Sequence, residues 1–306
     1  MRLAKYLDFQ LAACLLFVAL LLTGCSRDAI YVEIGPVRSP ATPPQRIISL
    51  SPSATEVLYG VGAFERVVAV SDYDTFPPEA QRLPKIGGWS NTNLEQVTAL
   101  RPDLVVMAGA QAPFVKDKLD ALNIPVLVVP DRSIEDALAS IEQIGRAVGR
   151  EAEAKQLLDE TRAKLERIRE GTKGLPRVRV LCVVDRVPGT LRGLYIATEG
   201  SFIAQLIEVA GGQSIAPPAA GGFGQISKEA IVSLDPEVII DMVQSLADSK
   251  LAEDPRAVWG ELGQVKAVRE GRVYPVRDNS VLHPSQFVGD TAQKFAALIH
   301  PEAWTK

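Results

Sequence analysis

This chain has little of the chemistry that nucleic-acid binding, metal capture or disulfide formation requires. Its 306 residues include 33 lysines and arginines against 37 acidic residues, and the net charge of −4 lacks the basic excess of a nucleic-acid binder. Two histidines are fewer than a zinc or manganese site usually gathers. Of three cysteines, two lie before residue 26. We therefore expect Cys182, within the apolar run VRVLCVV, to be a buried apolar residue without a disulfide partner.

The sequence also lacks an arrangement of residues that would support catalysis. No glycine-rich phosphate-binding motif follows the first predicted strand, where Ser51, Pro52 and Ser53 stand instead. No combination of Ser, Cys and His indicates an activated nucleophile. We therefore predict that the chain is not an enzyme, although α/β folds host many enzymes.

The first 25 residues resemble the signal peptide of a bacterial lipoprotein. Arg2 and Lys5 precede an apolar run at residues 11–22, which is too short for a membrane-spanning helix of about 20 residues. The run ends in LTGC, which resembles a lipobox, and that resemblance implies lipid modification of Cys25. A secretory signal with a chance cysteine and an uncut amino-terminal anchor are the alternatives.

Short apolar runs predict an amino-terminal lobe of the α/β class. Ser53 and Glu56 form a capping-box pattern, which predicts a short helix through Tyr59. Helical patterns alternate with the apolar runs, as in a doubly wound sheet. The runs typical of buried parallel strands are RIISL (46–50), VVAV (67–70), LVVM (104–107) and VLVV (126–129).

Helical spacing then dominates, and a second set of strands follows. Apolar residues recur every three or four positions after Ser133, and again after Gly149 in a long run with one apolar stripe, which suits a rigid connector. VRVLCVV (178–184), IIDM (239–242) and VYPV (273–276) start the strand pattern again. We predict two doubly wound lobes with parallel-type sheets, bridged by one long α-helix. The predicted divisions are a signal peptide (1–25), a proline-rich tether (26–45), an amino-terminal lobe (46–148), the bridging helix (149–174) and a carboxy-terminal lobe (175–306).

An internal repeat connects the two halves of the chain. NLEQVTALRPDLVV (93–106) aligns without gaps against SKEAIVSLDPEVII (227–240), at a constant separation of 134 residues. Both segments contain a helix-capping residue, a glutamate two positions later, then a leucine, a proline, an acid and an apolar strand. Six positions before Glu95 lies Trp89, in GGW, and six before Glu229 lies Phe223, in GGFG.

Equivalent loops of two similar lobes are expected to face one cleft. Ligands of open α/β sheets lie outside the carboxyl ends of the strands. Trp89 and Phe223 would then line the two walls, where flat aromatic side chains bury ligand surface at small entropic cost. Alternatively, each aromatic ring covers the core of its own lobe.

Several stretches in order resemble one family. The family is that of the substrate-binding components of ABC importers for iron siderophores, haem and cobalamin. The similarity is greatest to the cobalamin-binding members of this family. It is carried by the stretches RIISLSPSATEVLYGVG, VVAVSDYDTFPPEAQRLPKIGGW and NLEQVTALRPDLVV. The resemblance extends from about Arg46 to the end of the chain. It implies two lobes bridged by a single long helix.

The resemblance implies a ligand pocket lined by aromatic residues. Trp89 and Tyr73 match pocket positions of the cobalamin binders, and Tyr195 lies near another. Phe223 and Met107 stand where those proteins have tryptophans, so part of the pocket wall differs.

The resemblance also implies a docking role for Glu95 and Glu229. They match two surface glutamates, one in each lobe, that engage arginines of the membrane permease. Without the resemblance, a carboxylate in the first turn is explained by the helix dipole alone, which favours it by about 0.3 to 1 kcal/mol.

Other residues leave the ligand open between cobalamin, haem and a ferric siderophore. His283, on a loop after the last predicted strand, could contact a ligand, whereas His300 lies at a helix end that favours a cation. Haem would need an axial ligand, which Tyr73 or Tyr195 could supply. Ferric siderophores call for clustered positive charge, and the candidates scattered along the sequence are Lys85, Arg186, Arg192 and Arg277.

We therefore expect a monomeric lipoprotein of the cell envelope, facing the periplasm or the extracellular side. It would capture cobalamin or a related corrinoid between its lobes, without metal ligation or a resident cofactor, and deliver it to an ABC permease. Binding of a ferric siderophore or haem for an iron importer is the alternative. A structural or adhesive envelope lipoprotein would not require aromatic residues at equivalent cleft positions in both lobes.

Overall fold

The structure, a computed structural model, describes residues 42–243 and 253–304, which belong to one compact unit, Pro36–Lys306. The predicted signal peptide with Cys25, and most of the predicted tether, lie outside the described residues. Within the described ranges no helix is both long enough and apolar enough to cross a membrane.

The amino-terminal half forms a parallel four-stranded sheet, as predicted, with strand order β2, β1, β3, β4. Its central strands are apolar at every position but one and are buried throughout, so both faces of the sheet are covered by helices. The elements are β1 (Ile47–Ser49), α1 (Pro52–Gly60), β2 (Val67–Val70), α2 (Leu94–Ala99), β3 (Leu104–Ala108), α3 (Ala112–Ala121), β4 (Val126–Val129) and α4 (Ile134–Ala147).

The start of α1 differs from the sequence prediction. Its cap is Ser51, whose hydroxyl accepts a hydrogen bond from the Ala54 N–H at 3.4 Å, and Pro52 occupies the first helical position. The predicted capping box between Ser53 and Glu56 is therefore wrong. The Glu56 carboxylate instead bonds residues near the end of the chain.

A helix of 22 residues, α5 (Glu151–Thr172), connects the two halves and is about 33 Å long at 1.5 Å per residue. Its apolar stripe packs against α4 and α10 (Val288–Ile299). The approach to α4 is very close, because a Cβ atom added at Gly145 would lie 2.1 Å from the Cβ of Ala154. Glycine at this position therefore sets the packing of the two helices.

The carboxy-terminal sheet is mixed rather than purely parallel. Four of its strands run parallel, whereas two short strands, β6 (Tyr195–Ala197) and β8 (Phe223–Gln225), pair antiparallel at one end. β6 runs antiparallel because it returns beside β5 through a turn that contains Gly189 and Gly193 at positive φ. The remaining elements are β5 (Val178–Asp185), β6 (Tyr195–Ala197), α6 (Phe202–Val209), β7 (Gly212–Ser214), β8 (Phe223–Gln225), α7 (Lys228–Leu234), β9 (Val238–Asp241), α8 (Pro255–Trp259), α9 (Lys266–Arg269), β10 (Val273–Pro275) and α11 (Pro301–Trp304).

The internal repeat has the same local structure in both halves. Asn93 caps α2 and Ser227 caps α7, each accepting a hydrogen bond from the backbone N–H three residues on. Past each helix, a non-glycine residue takes the left-handed conformation, Arg101 with φ 47° and Asp235 with φ 40°. This conformation is uncommon for such residues. Its recurrence at positions separated by 134 residues shows that the sequence repeat is also a structural repeat.

An arginine stabilises that turn in each half. The guanidinium of Arg46 donates to the carbonyl oxygen of Leu100 at 2.7 Å, and that of Arg179 donates to the carbonyl oxygen of Leu234 at 2.5 Å. Each of these bonds therefore ties the end of a repeat helix to the start of a central strand.

The largest apolar core is continuous between the two halves. It includes side chains from α1 and the first sheet, from α4 and α5, and from β5, α6 and α10. A polar contact lies beside it, where the Ile134 N–H donates to Gln205 Oε1 at 2.9 Å. The two sheets are thus joined through packed side chains as well as through the chain itself.

Candidate functional site

A cavity of about 290 Å³ lies between residues of the two halves. Its amino-terminal wall comes from segments that follow β1, β3 and β4, which is where open α/β sheets bind ligands. The lining residues are Ser51, Pro52, Ser53, Trp89, Ala108, Ala110, Asp131 and Arg132 from the first half, and Phe202, Gly221, Phe223, Leu282, His283 and Pro284 from the second.

Another cavity is larger, at about 670 Å³, but has different walls. It lies at the ends of α4, α5 and α6, and its lining includes no aromatic side chain. The smaller cavity is the better candidate for a ligand site because it combines strand ends with aromatic residues from both halves.

The loop around Trp89 is shaped by two glycines. Gly87 has φ 96°, and a Cβ atom there would lie 2.5 Å from the backbone oxygen of Asn91. The Gly88 N–H donates to Asn91 Oδ1 at 2.8 Å, and a Cβ atom on Gly88 would lie 3.0 Å from the ring of Tyr73. The glycines therefore let the loop turn tightly beneath the Tyr73 ring and hold Trp89 at the cavity.

The second aromatic wall is a stacked pair on the antiparallel strands. Phe223 at the start of β8 and Tyr195 in β6 have ring centroids 6.3 Å apart and an interplanar angle of 16°. Phe223 lines the cavity, whereas Tyr195 is 41% exposed outside its lining. Tyr73, on the opposite half, is likewise outside the lining and is 59% exposed.

Met107 does not reach the cavity. It is fully buried within β3, in an apolar cluster with Ile48 and Val105, while its neighbour Ala108 lines the cavity. Successive residues of a strand point to opposite faces of the sheet, so Met107 supports the core behind the cavity. Its predicted contact with a ligand is not supported by this position.

His283 lines the cavity and contacts a buried carboxylate. Its Nδ1 lies 2.6 Å from Oε1 of Glu56, which is 1% exposed. The other oxygen of Glu56 accepts a hydrogen bond from the Ser285 hydroxyl at 2.5 Å, and the Glu56 carbonyl accepts one from Gln286. Glu56 therefore fixes the loop that carries His283. A charged residue within the buried face of a predicted helix was the sequence signal, because buried carboxylates need partners.

Asp131 lines the cavity, and the sequence prediction missed it. It follows β4 by two positions, and its Oδ2 accepts a hydrogen bond from the Ala110 N–H at 3.3 Å. Burial raises the pKa of the Asp131 carboxyl, against the opposing effects of the Ala110 bond and Arg132. An acid two positions after a predicted strand was the available signal, since such residues meet at the ligand edge of the sheet.

The basic residues considered for a ferric siderophore are not gathered at the cavity. Arg186 is buried in ion pairs with Asp241 and Glu253, and Lys85 donates to the carbonyl oxygen of Asp74. None of Lys85, Arg186, Arg192 and Arg277 lines the cavity. In the part of the chain that the structure describes, no group of three or more His, Cys, Asp and Glu side chains is arranged to hold a metal ion.

Glu95 and Glu229 lie in the first turns of α2 and α7, and both are exposed. The backbone N–H of Glu229, together with the Ser227 hydroxyl, lowers the pKa of the Glu229 carboxyl. The repeat thus gives each half an exposed carboxylate at the same helical position.

Residues 47–279 match the model of the periplasmic binding protein family, so this chain belongs to that family. The uncharacterised ABC transporter substrate-binding lipoprotein YvrC of Bacillus subtilis (strain 168) is 31% identical, over 95% of this chain and 97% of YvrC. The vitamin B12-binding protein of Pectobacterium carotovorum subsp. carotovorum (strain PC1) is 28% identical, over 64% of this chain and 71% of that protein. Among solved structures, the apo form of the periplasmic haem-binding protein RhuT from Roseiflexus sp. RS-1 has a TM-score of 0.73 and 22% identity, covering 85% of this chain and 99% of that one.

The family defines the general role of the chain. Its members are extracytoplasmic solute-binding proteins of transport systems rather than enzymes, and they deliver ligands to ABC transporter permeases. The predicted two-lobed α/β fold is confirmed by the architecture and by its similarity to solved members. This chain is accordingly the substrate-binding component of an ABC importer.

Proposed function

We propose that this protein captures cobalamin or a related corrinoid in the cavity between its lobes and delivers it to an ABC permease. The proposal depends mainly on one observation: Trp89 and Phe223, at equivalent positions of the internal repeat, line one cavity from different halves of the chain. Large flat side chains on two walls suit a large, flat macrocycle. The 28% identity to a vitamin B12-binding protein supports the same ligand class.

The size of the cavity implies that the ligand extends beyond it. Ligand pockets commonly measure roughly 300 to 1,000 Å³, and this cavity of about 290 Å³ lies at the lower end. The exposed rings of Tyr73 and Tyr195 lie on opposite halves outside the lining, and we propose that they contact the protruding part of the corrinoid. His283 adds a polar contact from the cavity wall, whereas Met107 is left out of the proposed site.

The lobes and the anchor complete this proposal. Residues 46–148 and 175–306 would act as the two lobes and residues 149–174 as the bridge. Cys25 would carry the lipid that holds the protein at the membrane, a role supported by the LTGC motif. Exposed Glu95 and Glu229 would pair with arginines of the permease, one from each lobe.

Haem is the second candidate, favoured by the exposed phenols. Tyr73 and Tyr195 have accessible side chains from which an axial oxygen could reach a haem iron. RhuT, a haem-binding protein, shares the fold of this chain. A ferric siderophore is less well supported, because the cationic residues considered for it do not line the cavity.

A calorimetric titration tests the proposal directly. The chain is titrated with cyanocobalamin and then, separately, with haemin. Tight one-to-one binding of cobalamin alone supports the corrinoid proposal. Binding of haemin without cobalamin would overturn it and make Tyr73, Tyr195 and His283 the residues to test for iron ligation.

A further inference from the structure

Asp131 is an acidic residue in a cavity whose other lining is mostly apolar or aromatic. It shares the cavity with Trp89 and Phe223. Its Oδ2 accepts the hydrogen bond from the Ala110 N–H, and its Oδ1 has no hydrogen-bond partner among residues 42–243 and 253–304. One carboxylate oxygen is therefore available for a ligand.

In the described part of the chain, no lysine, arginine or histidine forms an ion pair with Asp131. Arg132 also lines the cavity, and its positive charge partly offsets the effect of burial on the pKa of Asp131, but Arg132 is exposed and forms no ion pair with Asp131. Burial raises the pKa of Asp131, which shows that the ionised form is held in an unfavourable environment. Carboxyl groups that lie in a cleft and have a pKa raised by burial are candidates for functional sites.

An ionised carboxylate accepts hydrogen bonds and donates none. It therefore binds N–H donors and repels other carboxylates, most strongly where water is partly excluded. The periphery of a corrinoid such as cobalamin carries primary amides, each with two N–H donors. The periphery of haem carries two propionates, which are anionic at neutral pH.

We propose that Asp131 determines the ligand specificity of the cavity by accepting hydrogen bonds from peripheral amides and by excluding ligands that place a carboxylate there. This inference rests on the proposed capture of a corrinoid and names the feature of the corrinoid that is recognised. It assigns the choice between an amide-bearing and a carboxylate-bearing macrocycle to one side chain, separate from the aromatic walls that hold the ring.

The test compares two corrinoids that differ in peripheral charge. Dicyanocobinamide carries amides and dicyanocobyrinic acid carries carboxylates on the same macrocycle, and both lack the nucleotide. Dissociation constants are measured at pH 7 for the full chain in detergent and for its Asp131→Asn variant. Asparagine has nearly the same shape and can still accept the Ala110 hydrogen bond. The matched control is Glu135→Gln, which removes a charge four positions away on an exposed residue outside the cavity.

The wild-type protein should prefer the amide ligand by about tenfold or more, the scale of one hydrogen bond to a charged group. Asp131→Asn should reduce that preference by about tenfold, and Glu135→Gln should leave it unchanged. An unchanged preference in Asp131→Asn, with cobinamide still bound, would overturn the role of Asp131 while leaving the corrinoid function intact. Should Asp131→Asn fold poorly, Asp131→Ala provides the same comparison.

A haem arm separates the two proposals. If neither corrinoid binds but haemin does, the corrinoid function is overturned and Asp131 is tested with haemin and its uncharged dimethyl ester. Asp131→Asn should then bind haemin about tenfold more tightly, with the ester unaffected. Haemin affinity that is the same in both proteins would overturn the inference, and so would a failure of every tetrapyrrole to bind.

Discussion

Trp89 combines exposure with a fixed position, because the glycines before it shape the loop while its side chain lines the cavity. At 39% exposure the ring contributes little to the core. The Trp89 ring should therefore contribute mainly to ligand affinity.

We expect Trp89→Ala to weaken cobalamin binding by about tenfold or more, since burial of a large apolar side chain contributes about 1.5 to 3 kcal/mol. The thermal unfolding temperature should change little. Phe114→Ala is the control, because Phe114 is 46% exposed and does not line the cavity. Equal affinities of the wild-type protein and the Trp89 variant, measured by calorimetry, would remove Trp89 from the site.

Asp131 should make stability depend on pH in a defined direction. Burial raises its pKa above the ordinary value of 3.8, so the folded state holds its proton more tightly than the unfolded state. The contribution of the Asp131 carboxyl to the free energy of unfolding is fully present below pH 3.8. It is lost as the pH rises through the raised pKa of the folded state.

Asp131→Asn should therefore be more stable than the wild type at pH 7, and this difference should shrink as the pH approaches 3.8. Urea denaturation of both proteins at pH 7 and pH 4 measures it. A difference that grows on acidification contradicts the assigned cause.

The sequence could identify single residues where a repeat or a motif marked them. Trp89 and Phe223 were paired by their equal distance from Glu95 and Glu229, and they do meet at one cavity. Met107 was misassigned because a resemblance gives a position but not the face of the strand. Asp131 was missed for another reason: its place after a predicted strand was a signal, but its burial and its hydrogen bond with Ala110 are not visible from spacing.

At the scale of elements, α2 and α7 are the two copies of one unit. Each has a capping residue, an exposed glutamate in its first turn and a left-handed residue after its end. A permease that contacts both lobes would therefore contact an equivalent helix amino terminus, with an exposed glutamate, on each lobe.

Replacing Glu95 and Glu229 together by Ala should leave cobalamin affinity unchanged, because neither residue lines the cavity. The same variant should not stimulate the transporter ATPase, because the proposed contacts with permease arginines would be lost. The measurement is ATP hydrolysis by the reconstituted permease. Glu160→Ala with Glu166→Ala is the matched control, since both are exposed on α5. Full stimulation by the Glu95 and Glu229 variant would count against docking through these helices.

Gly145→Ala should destabilise the fold, because the added Cβ would lie 2.1 Å from the Cβ of Ala154. Overpacking of this kind typically costs about 1 to 3 kcal/mol, measured here by urea denaturation. Gly260→Ala is the control, since a Cβ atom there would meet nothing within 4 Å. Equal stability of the two variants would show that the contact between α4 and α5 accommodates the added methyl group without a loss of stability.

The elements that the sequence predicted are those with strong apolar patterns. The strands of the first sheet and the central strands β5 and β9 are buried on both faces, so their runs are continuous and easy to recognise. The strands β6, β7 and β8 have only three residues each, and β7 and β8 contain a glycine and polar residues, so tertiary pairing rather than an apolar pattern determines them. The mixed character of the second sheet therefore could not be predicted.

At the scale of the whole molecule, the lobes share one apolar core that includes α4, α5, α6 and α10. Opening or closing the cavity widely would have to disrupt that core or the bond between Ile134 and Gln205. The packed interior resists such deformation.

We therefore expect small-angle scattering curves recorded with and without ligand to nearly superimpose. A radius of gyration that falls markedly on ligand addition would show that the lobes move as separate bodies. Addition of a compound that does not bind provides the control for concentration effects.

The contact between Glu56 and His283 also has a consequence for biosynthesis, because 227 residues separate the two partners along the chain. Synthesis proceeds from the amino terminus, so the helix that carries Glu56 emerges long before the loop that completes its hydrogen bonds. Until then the carboxylate must remain hydrated, because its burial without partners is unfavourable. The cavity wall is thus completed only after residue 283 has been synthesised, and a chain terminated before that residue would lack a complete binding site.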